Sequence, residues 1–329
     1  MKSIRLGQLT IDPPLISAPM AGVTTKSLRR LIHELNPGAC GLYYTEFASI
    51  EGLVRRNKPT LRLIEKSNVD CETPFAIQLF GMDPVNMAES AKIAVEYGAD
   101  VVDINAGCPA QKVVKKGGGA DLLKRPQLIG EIVKSVKAAV SVPVAVKIRV
   151  GWDEGSINVF EVTKIIEDNG ADLITIHGRT RNQAFTGEAN WDLIREAKQR
   201  LKIPVVGNGD VVDTHSLDKR FAPSGVDGIM IGRGMLKDPW IFSRLKAHID
   251  GAVFNEPSPE ERYKLFERFH VIMKEDDFPE GAALGMLKQM AVRYLRAKPN
   301  SVQYRTAALR SVDFSQFFEA VRNYLFWNL

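Results

Sequence analysis

Along this chain of 329 residues, two hydrophobic periodicities alternate, and they do so eight times. Short, unbroken apolar runs occupy residues 15–20, 41–47, 75–81, 101–107, 143–150, 173–179, 204–209 and 228–234. Most do not alternate apolar with polar, which is the pattern of parallel strands covered on both faces. Between them lie stretches with apolar residues at helical spacing and with clear start and stop signals. Asp83-Pro-Val-Asn86 opens one, with Asp in the capping place and Pro at the first helical position. Met87, Ile93, Ala94 and Tyr97 follow on one face, and Gly98 closes it. The tripeptide Gly98-Ala-Asp100 then launches the next strand, and the device returns at Gly170-Ala-Asp172 and Gly225-Val-Asp227. Eight βα units in this order predict an α/β fold, a (β/α)8 TIM barrel. Residues 4–11 are expected to form a hairpin closing its N-terminal face.

The pattern changes near residue 252. Asn255-Glu-Pro-Ser-Pro259 has linker composition, and Ser258-Pro-Glu-Glu261 has capping-box spacing. No strand signal follows. Helices are expected at about 259–275, 280–297, 301–309 and 313–326. The chain thus divides into a barrel over residues 1–250 and a small all-helical domain over residues 251–329. Between Gly281 and Val312 lie Lys288, Arg293, Arg296, Lys298, Arg305 and Arg310, without one Asp or Glu, and with Tyr294 and Tyr304 among them. Such a run is commonly a solvated face. It is also how a surface for a phosphate backbone would look.

Composition narrows the classes. A formal net charge of +5 is mild. Cys40, Cys71 and Cys108 are few, odd in number and far apart, so they offer neither a disulfide framework nor a metal-ligand spacing. No apolar run approaches the roughly 20 residues that span a bilayer. No secretion signal opens the chain. A reducing, cytoplasmic setting without membrane, metal or obligate protein partner is the expectation.

The candidate chemistry sits at strand ends. The run Val101–Pro109 stops at Gly107 and is followed by a thiol, Cys108, and a proline that cannot continue a strand. Lys112-Val-Val-Lys-Lys116 and Gly117-Gly-Gly119 form a basic, flexible loop behind it. A free cysteine is as readily a small buried hydrophobe, but a barrel enzyme keeps its reacting groups at this end of its strands. Val206-Gly-Asn-Gly-Asp210 and Ile231-Gly-Arg-Gly234 follow the last two strands, where barrels commonly bind phosphate on bare backbone amides. Gln78, Asn105, Lys147 and His177 place polar side chains at four other strand ends. Each alone could be a satisfied core group. Together they suit a polar ring system such as a flavin, with Lys147 as the cation where charge collects on reduction.

Seven blocks resemble the tRNA-dihydrouridine synthase family in order and spacing over roughly residues 5–320. They are Ala18-Pro-Met-Ala-Gly-Val-Thr24, Gln78-Leu-Phe-Gly81, Asp103-Ile-Asn-Ala-Gly-Cys-Pro109, Lys147-Ile-Arg149, His177-Gly-Arg-Thr180, Asn208-Gly-Asp210 and Ile231-Gly-Arg233. Within it, the blocks resemble those of the bacterial B-type enzymes. Gln111 departs from the pattern, since many members have Lys or Ser there. The resemblance implies FMN at the barrel mouth, NADPH as reductant and tRNA held by the helical domain. It places the backbone of Pro19, Met20 and Ala21 and the side chains of Gln78, Lys147 and His177 against the flavin. Asn208, Gly209, Asp210, Gly232 and Arg233 would surround its phosphate arm. The implied reaction reduces the uracil C5–C6 bond, with hydride to C6 and a proton from Cys108 to C5. Asn105 and Arg179 would hold the uracil edge or a neighbouring phosphate, and Arg293, Arg296 and Lys298 would contact tRNA. Two rivals remain at this stage. One is an FMN barrel acting on a free pyrimidine, similar to dihydroorotate dehydrogenase. The other is a non-catalytic RNA-binding or chaperone module built on a retained barrel.

Overall fold

The computed structural model describes residues 1–67, 74–295 and 301–326. Cys71, Arg296 and Lys298 lie outside the described residues. The strands are β1 (Ile4–Leu6), β2 (Leu9–Ile11), β3 (Leu15–Ser17), β4 (Tyr43–Ser49), β5 (Phe75–Phe80), β6 (Val101–Ala106), β7 (Val144–Arg149), β8 (Leu173–His177), β9 (Val205–Asn208) and β10 (Gly228–Ile231). β3 to β10 form one parallel sheet in the order β3-β10-β9-β8-β7-β6-β5-β4. A parallel bridge between Ile16 and Leu42 joins its two edges. Ser17 N donates to Leu42 O at 3.0 Å, and Tyr44 N to Ser17 Oγ at 3.0 Å. The barrel expected from the eightfold alternation is therefore present and closed.

The repeated Gly-x-Asp tripeptides have a structural reason. Gly98, Gly170 and Gly225 all take positive φ, ending their helices. The aspartates then cap the start of the neighbouring strand. Asp100 accepts from Phe75 N at 2.8 Å, Asp172 from Val144 N at 2.7 Å, and Asp227 from Val205 N at 2.7 Å. Each one satisfies an amide that the start of its strand leaves unpaired.

Period-two alternation sorts the strand residues. Val102, Ile104, Val144, Val146, Ile174 and Ile176 pack outward in the main core against the helices. Leu42, Tyr44, Ala76, Val101, Ala145, Leu173, Val206 and Met230 form a second core inside the barrel. The antiparallel hairpin β1–β2 adds Ile4, Leu6 and Ile11 to this inner core. It plugs the N-terminal end with apolar side chains. The inward positions farther along the same strands are polar, so the other end of the barrel is the functional one.

Four helices end the described chain: Pro259–Glu275, Glu280–Tyr294, Ser301–Arg310 and Phe314–Phe326. The first has the expected capping box on Ser258 and Glu261. Phe266, Phe269, Leu287, Ala291, Phe317 and Val321 are buried among them and belong to the main core. Charge fastens this unit to the barrel's first helix, Lys26–Leu35. Arg268 grips Glu34 with two bonds of 2.7 Å, and Arg30 meets Glu275 and Asp276. Tyr294 packs against Trp240 and Phe266, and Tyr304 edge-on to Tyr324. Tyr294, which stands among the basic residues in sequence, is thus partly buried and packed against the core.

Candidate active site at the barrel mouth

The site residues come from successive strand ends because inward positions recur every second residue. β5 supplies Gln78, β6 supplies Asp103 and Asn105, β7 supplies Lys147 and Arg149, β8 supplies His177, and β9 supplies Asn208. Strand register sets them side by side: Gln78 opposite Asp103, Asn105 opposite Lys147, Arg149 opposite His177, and His177 opposite Asn208.

Hydrogen bonds order this ring. Asp103 is fully buried and accepts from Tyr44 Oη at 3.2 Å and from Gln78 Nε2 at 2.6 Å. Gln78 Oε1 accepts from Asn105 Nδ2 at 2.9 Å. Asn105 Oδ1 accepts from the amides of Gly107 at 3.1 Å and Cys108 at 2.9 Å. The turn bearing Cys108 is further tied by Arg149, whose Nε donates to Gly107 O at 2.9 Å. Lys147 Nζ donates to Asn208 Oδ1 at 3.1 Å, and Asn208 Nδ2 to Met230 O at 2.8 Å.

The last two strand ends form a charged corner. Asp210 accepts from Arg179 at 2.7 Å, from the Ala189 amide at 2.8 Å and from Arg233 at 3.0 Å. Arg179 is 1% exposed and also donates to Thr186 O at 3.0 Å and Gly187 O at 2.6 Å. Its donors therefore face protein, and Arg233 is the exposed cation of the pair. Gly209 has φ 132°, and a Cβ there would lie 2.5 Å from the Ala189 side chain, so only glycine fits. Gly232 faces Ala18 and Met20 across the mouth. The 18–24 loop folds on itself, with Met20 N donating to Thr24 Oγ1 at 2.9 Å and Gly22 N donating to the Glu46 carboxylate. Pro19 and Met20 are half-buried and Ala21 is exposed.

Burial sets the protonation states. It lowers Lys147 to about 8, with Arg149 adding to the effect. It holds His177 well below the usual imidazole value, reinforced by Lys147, Arg149, Arg179 and Arg233, so that ring is neutral. It raises Asp103 to about 7 against the pull of Gln78 and Lys147, and it pushes the half-buried Cys108 thiol upward. Burial alone would raise Asp210, but the Ala189 amide and the two arginines outweigh it and hold the carboxyl below its usual range.

The mouth thus gathers the expected Gln78, Asn105, Cys108, Lys147, His177, Asn208, Gly209, Asp210, Gly232 and Arg233. Arg293 lies away from it, on the helix Glu280–Tyr294, half-buried and donating to Gln289 O at 2.8 Å. Three residues had no assigned part from sequence: Asp103, Arg149 and Glu46. Their signal was available, since each is a charge inside an otherwise apolar strand, where burial demands a partner.

Fold and mouth together define a class: a (β/α)8 barrel enzyme with a helical C-terminal unit. The class has distant structural likenesses. A histamine dehydrogenase from Rhizobium sp. 4-9 superposes with a TM-score of 0.58 at 15% identity, over 82% of this chain and 50% of that one. A morphinone reductase superposes with a TM-score of 0.51 at 15% identity, over 79% and 93%. At such identity they speak for the fold alone. Sequence is more specific. The family profile Dihydrouridine synthase (Dus) matches residues 16–324. The chain is 36% identical over 98% of both lengths to tRNA-dihydrouridine synthase B of Proteus vulgaris and to that of Escherichia coli K12. It is 42% identical to a probable tRNA-dihydrouridine synthase 1 of Synechocystis, over 74% of this chain and 68% of that one. The chain belongs to the dihydrouridine synthase family, and with it to the oxidoreductases that modify tRNA.

Proposed function

We propose that this protein reduces the C5–C6 double bond of uridines in the tRNA D-loop, using FMN and NADPH, with Cys108 as the proton donor. The observation that carries the reading is the placement of Cys108. It is a half-buried thiol with a raised pKa, held by its own amide at the mouth beside a cation-bearing polar ring.

The mouth suits FMN by the chemistry of its donors. Lys147 is a cation for the edge of the ring that gains negative charge, Gln78 and Asn208 are amides, and His177 is neutral and able to donate. The glycine turns at Gly209 and Gly232 flank the exposed Arg233, a setting that suits a phosphate arm. Pro19, Met20 and Ala21 form the facing rim. Bound there and reduced by NADPH, FMN would supply hydride to uracil C6.

The chain's own groups do the rest. C5 gains carbanion character as hydride arrives at C6 and needs a proton. Cys108 holds one on Sγ at neutral pH, since an ordinary thiol pKa is about 8.5 and burial raises this one. The proton passes from Sγ to C5, and solvent restores it to the thiolate afterwards. Asn105 and Arg149 keep the thiol's turn in place, while Arg179 fixes the 186–187 backbone beside the mouth. A stacked uridine cannot enter a barrel, so the base must be flipped out. Arg293, Arg296 and Lys298 would hold the tRNA by its phosphates, a shape-and-charge recognition.

The test is Cys108→Ala in full-length protein loaded with FMN. It should keep the yellow flavin and its reduction by NADPH yet lose dihydrouridine formation on unmodified tRNA. Turnover at the parental rate would remove Cys108 from the reaction.

A further inference from the structure

The hydrogen-bond chain beneath Cys108 has a direction, set at its base by Asp103 and at its top by the donor-only amides of Gly107 and Cys108. Once ionised, above the value of about 7 to which burial raises it, Asp103 can only accept, whereas a Gln or Asn amide fits either way round. Asp103 Oδ2 faces Gln78, so Gln78 must turn its NH2 toward it, at 2.6 Å. The Gln78 oxygen is then left for Asn105, which must turn its own NH2 there, at 2.9 Å. Only then is the Asn105 oxygen free to accept the Gly107 and Cys108 amides, at 3.1 and 2.9 Å. Reversing any one link would set N–H against N–H inside a buried chain, since Gln78, Asp103 and Asn105 are 1%, 0% and 4% exposed. Tyr44 donates to the other Asp103 oxygen at 3.2 Å and so keeps the carboxylate from rotating away.

We propose that Asp103 is a positioning residue for Cys108: as the acceptor that terminates this relay, it anchors Gln78, and through it Asn105, and so steadies the turn that presents the thiol. The consequence for turnover rests on the reading of Cys108 as proton donor. The consequence for the turn itself does not.

The test uses full-length protein carrying Asp103→Leu, Asp103→Asn, Asn105→Leu, or the Leu substitutions at 103 and 105 together. Two quantities are read: the rate of Cys108 alkylation by iodoacetamide, resolved by peptide mass spectrometry without tRNA, and kcat and KM for tRNA with FMN-loaded enzyme. Asp103→Leu should change the alkylation rate at least about five-fold and lower kcat roughly 10- to 100-fold with little change in KM, the scale set by one mispaired buried amide. Asp103→Asn should restore both to within about three-fold, because its oxygen can meet Gln78 while its NH2 meets Tyr44. The double variant should be no worse than Asn105→Leu alone, since both substitutions break one chain.

Parental alkylation in Asp103→Leu would overturn the proposal. So would Asp103→Asn as damaged as Asp103→Leu, which would make the charge beside Lys147 the operative feature, or losses that multiply in the double variant. Should Asp103→Leu not fold, Gln78→Met breaks the chain one link on, and parental alkylation there is equally contrary. If Cys108→Ala proves fully active, the proton-donor reading falls, and the alkylation measurement still judges the relay.

Discussion

Replacing Asp210 by alanine should destabilise the protein by about 3–5 kcal/mol, and the structure says where that loss arises. The carboxylate accepts three bonds of 2.7–3.0 Å, from Arg179, the Ala189 amide and Arg233. The Arg233 side chain is 45% exposed, so its share is at most about 1 kcal/mol. The Arg179 side chain is 2% exposed, and an uncompensated buried cation costs about 3–5 kcal/mol. Arg179 keeps Thr186 O and Gly187 O, which moderates the loss, while the orphaned Ala189 amide adds about 1–3 kcal/mol. These contributions share one acceptor and do not sum. Urea unfolding of the parent and of Asp210→Ala, followed by tryptophan fluorescence, gives the difference. Its pH dependence is a second check. The folded-state pKa of Asp210 is lowered, so its stabilisation is fully present above the unfolded value near 3.9 and is lost as pH falls through the folded value. The gap between the two proteins should therefore narrow below about pH 4. A difference under about 1 kcal/mol at pH 7 would refute the view that this corner is held by a buried ion pair.

Other outcomes follow from the same geometry. Gly209→Ala must place a methyl 2.5 Å from Ala189 Cβ at φ 132°, so FMN affinity, read by fluorescence titration, should fall at least about ten-fold. The Cys108 thiol, raised by burial, acts only while protonated, so kcat should fall as pH rises, with the descending limb displaced to the alkaline side of an ordinary thiol, measured by single-turnover dihydrouridine formation. Exchanging Arg293, Arg296 and Lys298 for glutamine should weaken tRNA binding and flatten its dependence on log salt by up to about three units, without altering NADPH oxidation in the absence of tRNA.

The barrel was legible because parallel strands buried on both faces read as unbroken apolar runs, and their eightfold return admits few folds. Strand ends were less so. β3 stops at Ser17 and β8 at His177, short of the runs that continue to Met20 and Arg179. There the chain leaves the sheet to form the mouth, and apolar content does not report a turn. In the tail, the helix expected over 280–297 is described from Glu280 to Tyr294. Tyr294 shows the limit of charge-pattern reading: its neighbours in sequence are basic, but helical spacing from Leu287 and Ala291 leaves it partly buried against the core, packed on Phe266. The mouth residues were found as polar breaks in apolar strands. Asp103 broke its strand in the same way, yet its role became visible only when Gln78 and Asn105 were seen end to end above it.

The most direct measurement of the central claim is to incubate purified FMN-loaded protein with NADPH and unmodified tRNA, then map dihydrouridine by mass spectrometry. The account predicts dihydrouridine in the D-loop with the parent protein and none with Cys108→Ala, while both bleach their flavin on adding NADPH. Flavin that is bound and reduced by the parent, yet leaves every uridine intact, would contradict it.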